Sequence, residues 1–166
     1  MLIRASAKFA KTFRCVRSDR RPPAPGPFLA WYADVFTARR FGRFAIFSDE
    51  HTLFTYLVPM GNRRTLAAVI EGFHRTMGQF FAHARIHDQA AVTEVEFVLR
   101  DDRRVIGCQN DFIYHARHCL EENHPPLDDE IFLQAHDAIN GMPMAYLGFR
   151  MPREAMQEEV AKLRRG

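Results

Sequence analysis

The stretch that most limits how this chain can fold runs from Thr93 to Leu120, TEVEFVLRDDRRVIGCQNDFIYHARHCL. Val95, Phe97 and Leu99 alternate with Glu94, Glu96 and Arg100, the pattern of a strand with one buried face. Asp101-Asp102 then offers an N-cap, with acids placed favourably at a helix N-terminus. Val105, Ile106, Phe112, Ile113, Ala116, Cys119 and Leu120 follow at helical spacing. A strand running directly into a one-sided helix implies a sheet with that helix packed on it. The expected unit is a compact, soluble α+β domain; the stretch names no activity.

The flanking segments agree with a single domain over 1–166. Leu2 to Ser6 alternates as an opening strand. Lys8 to Arg17 follows with Phe9, Phe13 and Val16 at helical spacing. The loop RRPPAPGP breaks regular structure and closes a basic arm at 1–27. This Arg-rich start has the composition of an organellar transit peptide, but its first strand belongs to the fold. Leu29–Ala38, Phe44–Phe47 and Thr52–Pro59 are joined by short polar links and predict a β-meander. The third carries apolar residues on both faces, which predicts a central strand. Leu66, Val69, Ile70, Phe73, Met77, Phe80 and Ala84 form one helical stripe. A helix capped by Asp128 or Asp129 follows, then a last strand at Met144–Phe149. A closing helix at 152–166 frays into its basic end. The fold class is α+β: a largely antiparallel sheet with an N-terminal β-meander and about four helices mainly on one face.

Charge and cysteine content narrow the classes of function. The formal net charge of +3 is uneven, because residues 1–21 hold seven Lys/Arg and one acid, a balance of +6 against −3 elsewhere. Lys8, Lys11, Arg14, Arg17, Arg20 and Arg21 make nucleic acid a candidate partner for the arm, while the body has no such footprint. No apolar run reaches the roughly 20 residues that span a bilayer, so no membrane role is expected. The three cysteines lack CxxC spacing and suit the cytoplasm. Cys108 and Cys119, ~16 Å apart on one helix, are too distant for a disulfide.

Two groups of side chains on the second helix carry candidate chemistry. Asp111, His115, His118 and Glu122 are spaced i, i+4, i+7, i+11 along one face, and their ligand types suit zinc or a similar divalent metal. The solvated side of any amphipathic helix shows the same stripe. Asn110 and Asp111, beside Gly107, are the second group. A helical glycine costs about 0.5–1 kcal/mol relative to alanine, and close packing on a strand is the ordinary reason for one. Asn110 and Asp111, together with Asp49 and Glu50, are the candidates to bind a ligand or partner; alternatively Asn110 and Asp111 hold the Asp49-Glu50 turn. His83 and His87 are also i, i+4 apart, but lack the intervening Glu of zinc hydrolases. No nucleophile elbow, P-loop or dinucleotide fingerprint is present.

Five separated segments, in order, carry a resemblance: the opening strand with its basic stretch, WYADVF, FAIFSDEHTLF, RRVIGCQNDF and INGMPMAYLGFRMP. They resemble a family of small, mainly bacterial proteins classed as a domain of unknown function. The likeness covers roughly residues 1–155. It implies a shared fold and brings no activity. The commoner form of the central segment has Asn and Ser where this chain has Asp102, Arg104 and Cys108, so the resemblance marks none of these as catalytic. It also lacks the two histidines, which favours the solvated reading of that face. The expected function is a non-enzymatic interaction or regulatory module with a protein partner. The alternatives are a nucleic-acid-associated protein of a mobile element or defence system, and a metal-dependent enzyme.

Overall fold

The computed structural model describes residues 1–19, 22, 26, 28–61, 65–83, 95–123 and 127–165, with the backbone alone at 79–83. The elements are β1 (Leu2–Ala5), α1 (Ala7–Phe13), β2 (Ala30–Ala38), β3 (Gly42–Asp49), β4 (Thr55–Pro59) and α2 (Leu66–His83). β5 (Glu96–Leu99), α3 (Arg103–Glu122), α4 (Asp129–Asn140), a 3-10 turn at Ala145–Leu147 and α5 (Pro152–Leu163) complete them. The expected α+β class and the β2–β3–β4 meander are present, with five α-helices among the described residues rather than about four. His87, Arg20 and Arg21 lie outside the described residues.

The sheet order is β4-β3-β2-β1-β5. Its two longest pairings, β2–β3 and β3–β4, are antiparallel, whereas β1 runs parallel to both β2 and β5. Alternation then sorts the side chains. Ile3, Trp31, Ala33, Val35, Ala45, Phe47, Tyr56 and Val58 face one core with Phe9 of α1, Phe73 of α2 and Met156 of α5. Tyr32, Phe36, Phe44, Ile46 and Leu57 face another with Phe112 of α3, Ile139 of α4 and Leu147. The helices therefore cover both faces, correcting the one-face expectation. β2 is apolar at almost every position, and a strand with two apolar faces requires two covers.

The same rule corrects a second expectation. β4 is doubly covered as predicted, yet it is an edge strand. An uncovered edge exposes backbone donors and acceptors to wrong pairing. Here α4 closes it. Asn140 Oδ1 accepts from Thr55 N–H (2.8 Å), Asn140 Nδ2 donates to the Thr55 carbonyl (2.9 Å), and Leu57 N–H approaches His136 Nε2 (3.4 Å). One asparagine thus takes the place of a neighbouring strand.

Met144–Phe149 is not a strand. It forms a tight turn closed by Met144 N–H to the Arg150 carbonyl (3.0 Å) and Phe149 N–H to the Met144 carbonyl (2.9 Å). Gly148 and Phe149 both have φ of +66°, a left-handed conformation that ends extended structure. Glycine is required just before this turn for a different reason. A Cβ on Gly141 would lie 2.8 Å from the Asp137 carbonyl, which accepts Gly141 N–H at the end of α4, and would also strike the Arg153 guanidinium. Gly141→Ala is expected to lower stability by about 1–2 kcal/mol, or roughly 2–8 °C in Tm. An unchanged thermal melt would remove this account of Gly141.

Candidate functional site

α3 starts at Asp102, whose side chain accepts from Arg104 N–H (2.8 Å). It ends at Asn123, whose amide donates to the Cys119 carbonyl (2.8 Å). Val105, Phe112, Ala116 and Leu120 are buried as the periodicity requires. Gln109 completes that stripe and is fully buried. Its Nε2 donates to the Tyr32 carbonyl (2.8 Å) and to Ser48 Oγ (3.2 Å), while its Oε1 accepts from Arg100 Nη1 (2.7 Å). Arg100 also pairs with Asp34 (3.1 Å), which accepts from Ser6 Oγ (2.7 Å). Sequence reading missed this buried bridge between α3 and the sheet. Its visible signal was one polar residue at an apolar stripe position.

A second buried group surrounds Arg4, which is 3% exposed on the interior strand β1. Its Nε donates to Glu50 (2.8 Å), its Nη2 to the Pro22 carbonyl (2.9 Å), and its Nη1 stands 3.4 Å from Asp101 without hydrogen-bond geometry. Burial works against the Arg4 charge, but the Glu50 bond and the charges of Glu50 and Asp101 outweigh it and raise its pKa. The Tyr32 hydroxyl touches Asp101 (3.3 Å) and accepts from Asp102 N–H (3.2 Å), and burial pushes that phenol up.

Asp49 and Glu50 are therefore engaged within the fold. Asp49 is fully buried and accepts from Phe28 N–H (2.8 Å), Thr52 N–H (2.8 Å), Thr52 Oγ (2.9 Å) and His51 N–H (3.2 Å). Burial raises its pKa, against the pull of the Thr52 and Phe28 bonds. None of these bonds comes from Asn110 or Asp111, so those residues do not hold the Asp49-Glu50 turn.

The outward face of α3 is another matter. Asn110, Asp111, Tyr114, His115, His118 and Glu122 are all exposed, in the alignment their spacing predicts. His118 pairs with Glu122 (3.1 Å), and the Tyr114 ring stands edge-on to His115 and stacks on His118. Among the described residues, no three His, Cys, Asp or Glu side chains stand close enough to hold a metal ion. Gly107 is exposed on this side, and a Cβ there would meet nothing within 4 Å. That overturns close packing as the reason for Gly107. Cys108 is part-buried, and burial, then the nearby Asp111 charge, raises its pKa. Such a thiol is a poor nucleophile.

The basic arm is only partly an arm. β1 lies inside the sheet between β2 and β5, and Arg17 Nη1 donates to the Ala5 carbonyl (3.2 Å). Lys8, Lys11 and Arg14 are exposed on or just after α1. Among the described residues, no helix is long and apolar enough to cross a membrane.

A family model described as "Domain of unknown function (DUF6933)" matches residues 2–155 of the chain. No curated protein and no solved structure matches it. The segments that carry the likeness contain the buried anchors just described: Asp34, Asp49, Gln109 and Asn140. Asn110 and Asp111 lie in the same segments, but their side chains make no hydrogen bond or ion pair among the described residues.

Proposed function

Since the chain belongs to the DUF6933 family, whose description carries no activity, we propose from the geometry that it is a non-enzymatic interaction or regulatory module. It meets a protein partner through the outward face of α3. The observation that carries this reading is Gly107. It sits in the helix interior with open space before it, and no contact inside the fold repays the cost of glycine there. A missing side chain on an exposed face lets another backbone approach closely. Asn110 and Asp111 lie one turn on, with polar groups not used internally. Tyr114, 64% exposed, lies a further turn along, and tyrosine is among the residues enriched in interface cores. The buried ion pairs Arg100–Asp34 and Arg4–Glu50 are spent on joining strands and helices, which supports a binding rather than a reacting surface. Cys15, Cys108 and Cys119 are free thiols, which supports action in the reducing bacterial cytoplasm.

The test pairs stability with contact. Gly107→Ala should raise stability by about 0.5–1 kcal/mol, seen as a Tm higher by roughly 1–4 °C. A photo-cross-linking residue at position 114, introduced in native cells, should yield a discrete protein adduct that the same residue at position 162 does not. Combining it with Gly107→Ala should weaken that adduct. A stabilised Gly107→Ala protein with an undiminished adduct would sink the reading.

A further inference from the structure

A different surface, on α1 and the β2–β3 turn, bears a second interaction. We propose that this pole of the molecule binds the phosphate backbone of nucleic acid. The turn ARRFGR (38–43) places three arginines in six residues and is closed by Phe41 N–H to the Ala38 carbonyl (3.1 Å). Gly42 has φ of +83°, which permits so short a reversal. Arg39, Arg40 and Arg43 are all exposed. Arg43 projects on the sheet face shared by Ala45 and Phe47, where α1 packs. Its Nη2 donates to Thr12 Oγ1 of α1 (2.9 Å). That bond joins the turn to the outer side of α1, where Lys8 and Lys11 are exposed, with Arg14 at its end. Lys8, Lys11, Arg14 and Arg43 thus come together from two distant parts of the chain, with Arg39 on the same turn, whereas Arg40 Nη1 donates to the Asn123 carbonyl at the end of α3 (3.4 Å).

Their electrostatic setting differs from that of the other exposed cations. Residues 5–18 and 35–48 contain no Asp or Glu. The carboxylate that reaches the turn, Glu121, accepts from the backbone N–H of Arg39 (3.1 Å) rather than from its guanidinium. Among the described residues, Lys8, Lys11, Arg14, Arg39 and Arg43 make no ion pair. Several exposed cations elsewhere are neutralised on their own helix or a neighbouring turn, Arg75 by Glu71, Arg150 by Glu158 and Lys162 by Glu159, and Arg103 and Arg153, which are not, have acids within a few residues in sequence. The positive field is therefore concentrated at one pole of a body that is otherwise mildly acidic.

Two features favour nucleic acid over other polyanions. Three of these five cations are arginines, whose planar fork matches phosphate oxygens. A bilayer fits poorly, because α1 buries Phe9 and Ala10 in the core and keeps no apolar face to insert.

Fluorescence anisotropy of the full chain with labelled oligo-dT, and with a labelled duplex, tests the proposal. Binding should be measurable at about 50 mM salt and weaken steeply, with log K against log salt falling by roughly 0.7–0.9 per phosphate contacted. Four contacts give a loss of roughly 50- to 150-fold on going to about 200 mM. Arg39→Glu with Arg43→Glu should weaken binding at least about tenfold. Lys8→Gln with Lys11→Gln, which leaves the Arg43–Thr12 bond intact, should weaken it less. Lys162→Gln, on α5, should leave it unchanged. No binding at low salt, or equal losses in all three variants, overturns the proposal. Preferential binding to phosphatidylserine vesicles or to polyglutamate, lost in the same arginine variant, also overturns it and assigns the pole to another anion. Photo-adducts at position 114 report on α3 alone, so either surface can fail without the other.

Discussion

Asp49→Asn is expected to destabilise the protein by about 3 kcal/mol or more, lowering Tm by roughly 6–12 °C. The change is nearly isosteric, so its cost isolates hydrogen-bond polarity. Asp49 Oδ1 receives Phe28 N–H, and Oδ2 receives Thr52 N–H, Thr52 Oγ and His51 N–H. Every neighbour is a donor. An asparagine must present its own NH2 to one of these sets, leaving buried donors unsatisfied at about 1–3 kcal/mol each. The strain nearby adds to the loss. Phe28 and Leu53 hold φ of +64° and +57°, a cost of about 1–3 kcal/mol apiece. Phe28 N–H bonds the Asp49 side chain and Leu53 N–H bonds the Asp49 carbonyl (2.9 Å). Equilibrium urea unfolding at neutral pH measures the effect. A cost below about 1 kcal/mol would mean that Asp49 is already protonated in the native protein, a state in which one oxygen donates and Asn is a fair replacement.

Asp49 also shows which parts of this protein periodicity can reveal. The alternation of Leu2–Ala5 and the stripe of Leu66–Met77 locate β1 and α2, because a local pattern directly records which side of an element is dry. The meander β2–β3–β4 follows from short links for the same local reason. Asp49 itself looked like a turn residue available to a partner. Nothing adjacent in sequence shows that Phe28, twenty-one residues away, would bring its N–H to it. Gln109, Arg4 and Asn140 share this difficulty. Each is a polar residue at an apolar position, a visible anomaly, but its partner is distant in the chain. Asn140 meets Thr55 across 85 residues, and Gln109 meets Tyr32 across 77. β4 was misplaced at the centre of the sheet because apolar residues on both faces report covers above and below, and say nothing about the two edges. Gly107 was misread in the opposite sense. A helical glycine announces that something must come close, without saying whether it belongs to the same molecule.

The edge of β4 carries the other large effect, a loss of stability in mild acid. His136 sits on α4 among the rings of Phe54, Tyr56 and Phe132, at 5.7–6.1 Å. Burial lowers its pKa to about 4, with Asp137 opposing weakly. Its Nε2 must be unprotonated to accept Leu57 N–H. In the unfolded chain the same imidazole titrates near its ordinary 6.5. Between these values the unfolded state takes up a proton that the native state refuses, so stability falls as pH falls from about 6.5 to about 4 and is level outside that window. At 1.36 kcal/mol per pKa unit, the shift amounts to about 3 kcal/mol, most of it lost by about pH 4.5. Two other groups act in the same range. His74, also lowered by burial, adds to the acid loss. Asp49, raised by burial, binds its proton earlier in the native state and offsets part of it. His136→Gln separates them, because glutamine keeps an acceptor for Leu57 N–H and does not titrate. Urea unfolding at neutral pH and near pH 4.5 should show the wild-type chain losing about 2.5 kcal/mol more than the variant across that interval. Parallel pH profiles for the two proteins would show that His136 is protonated in the native state, and that the closure of β4 rests on Asn140 alone.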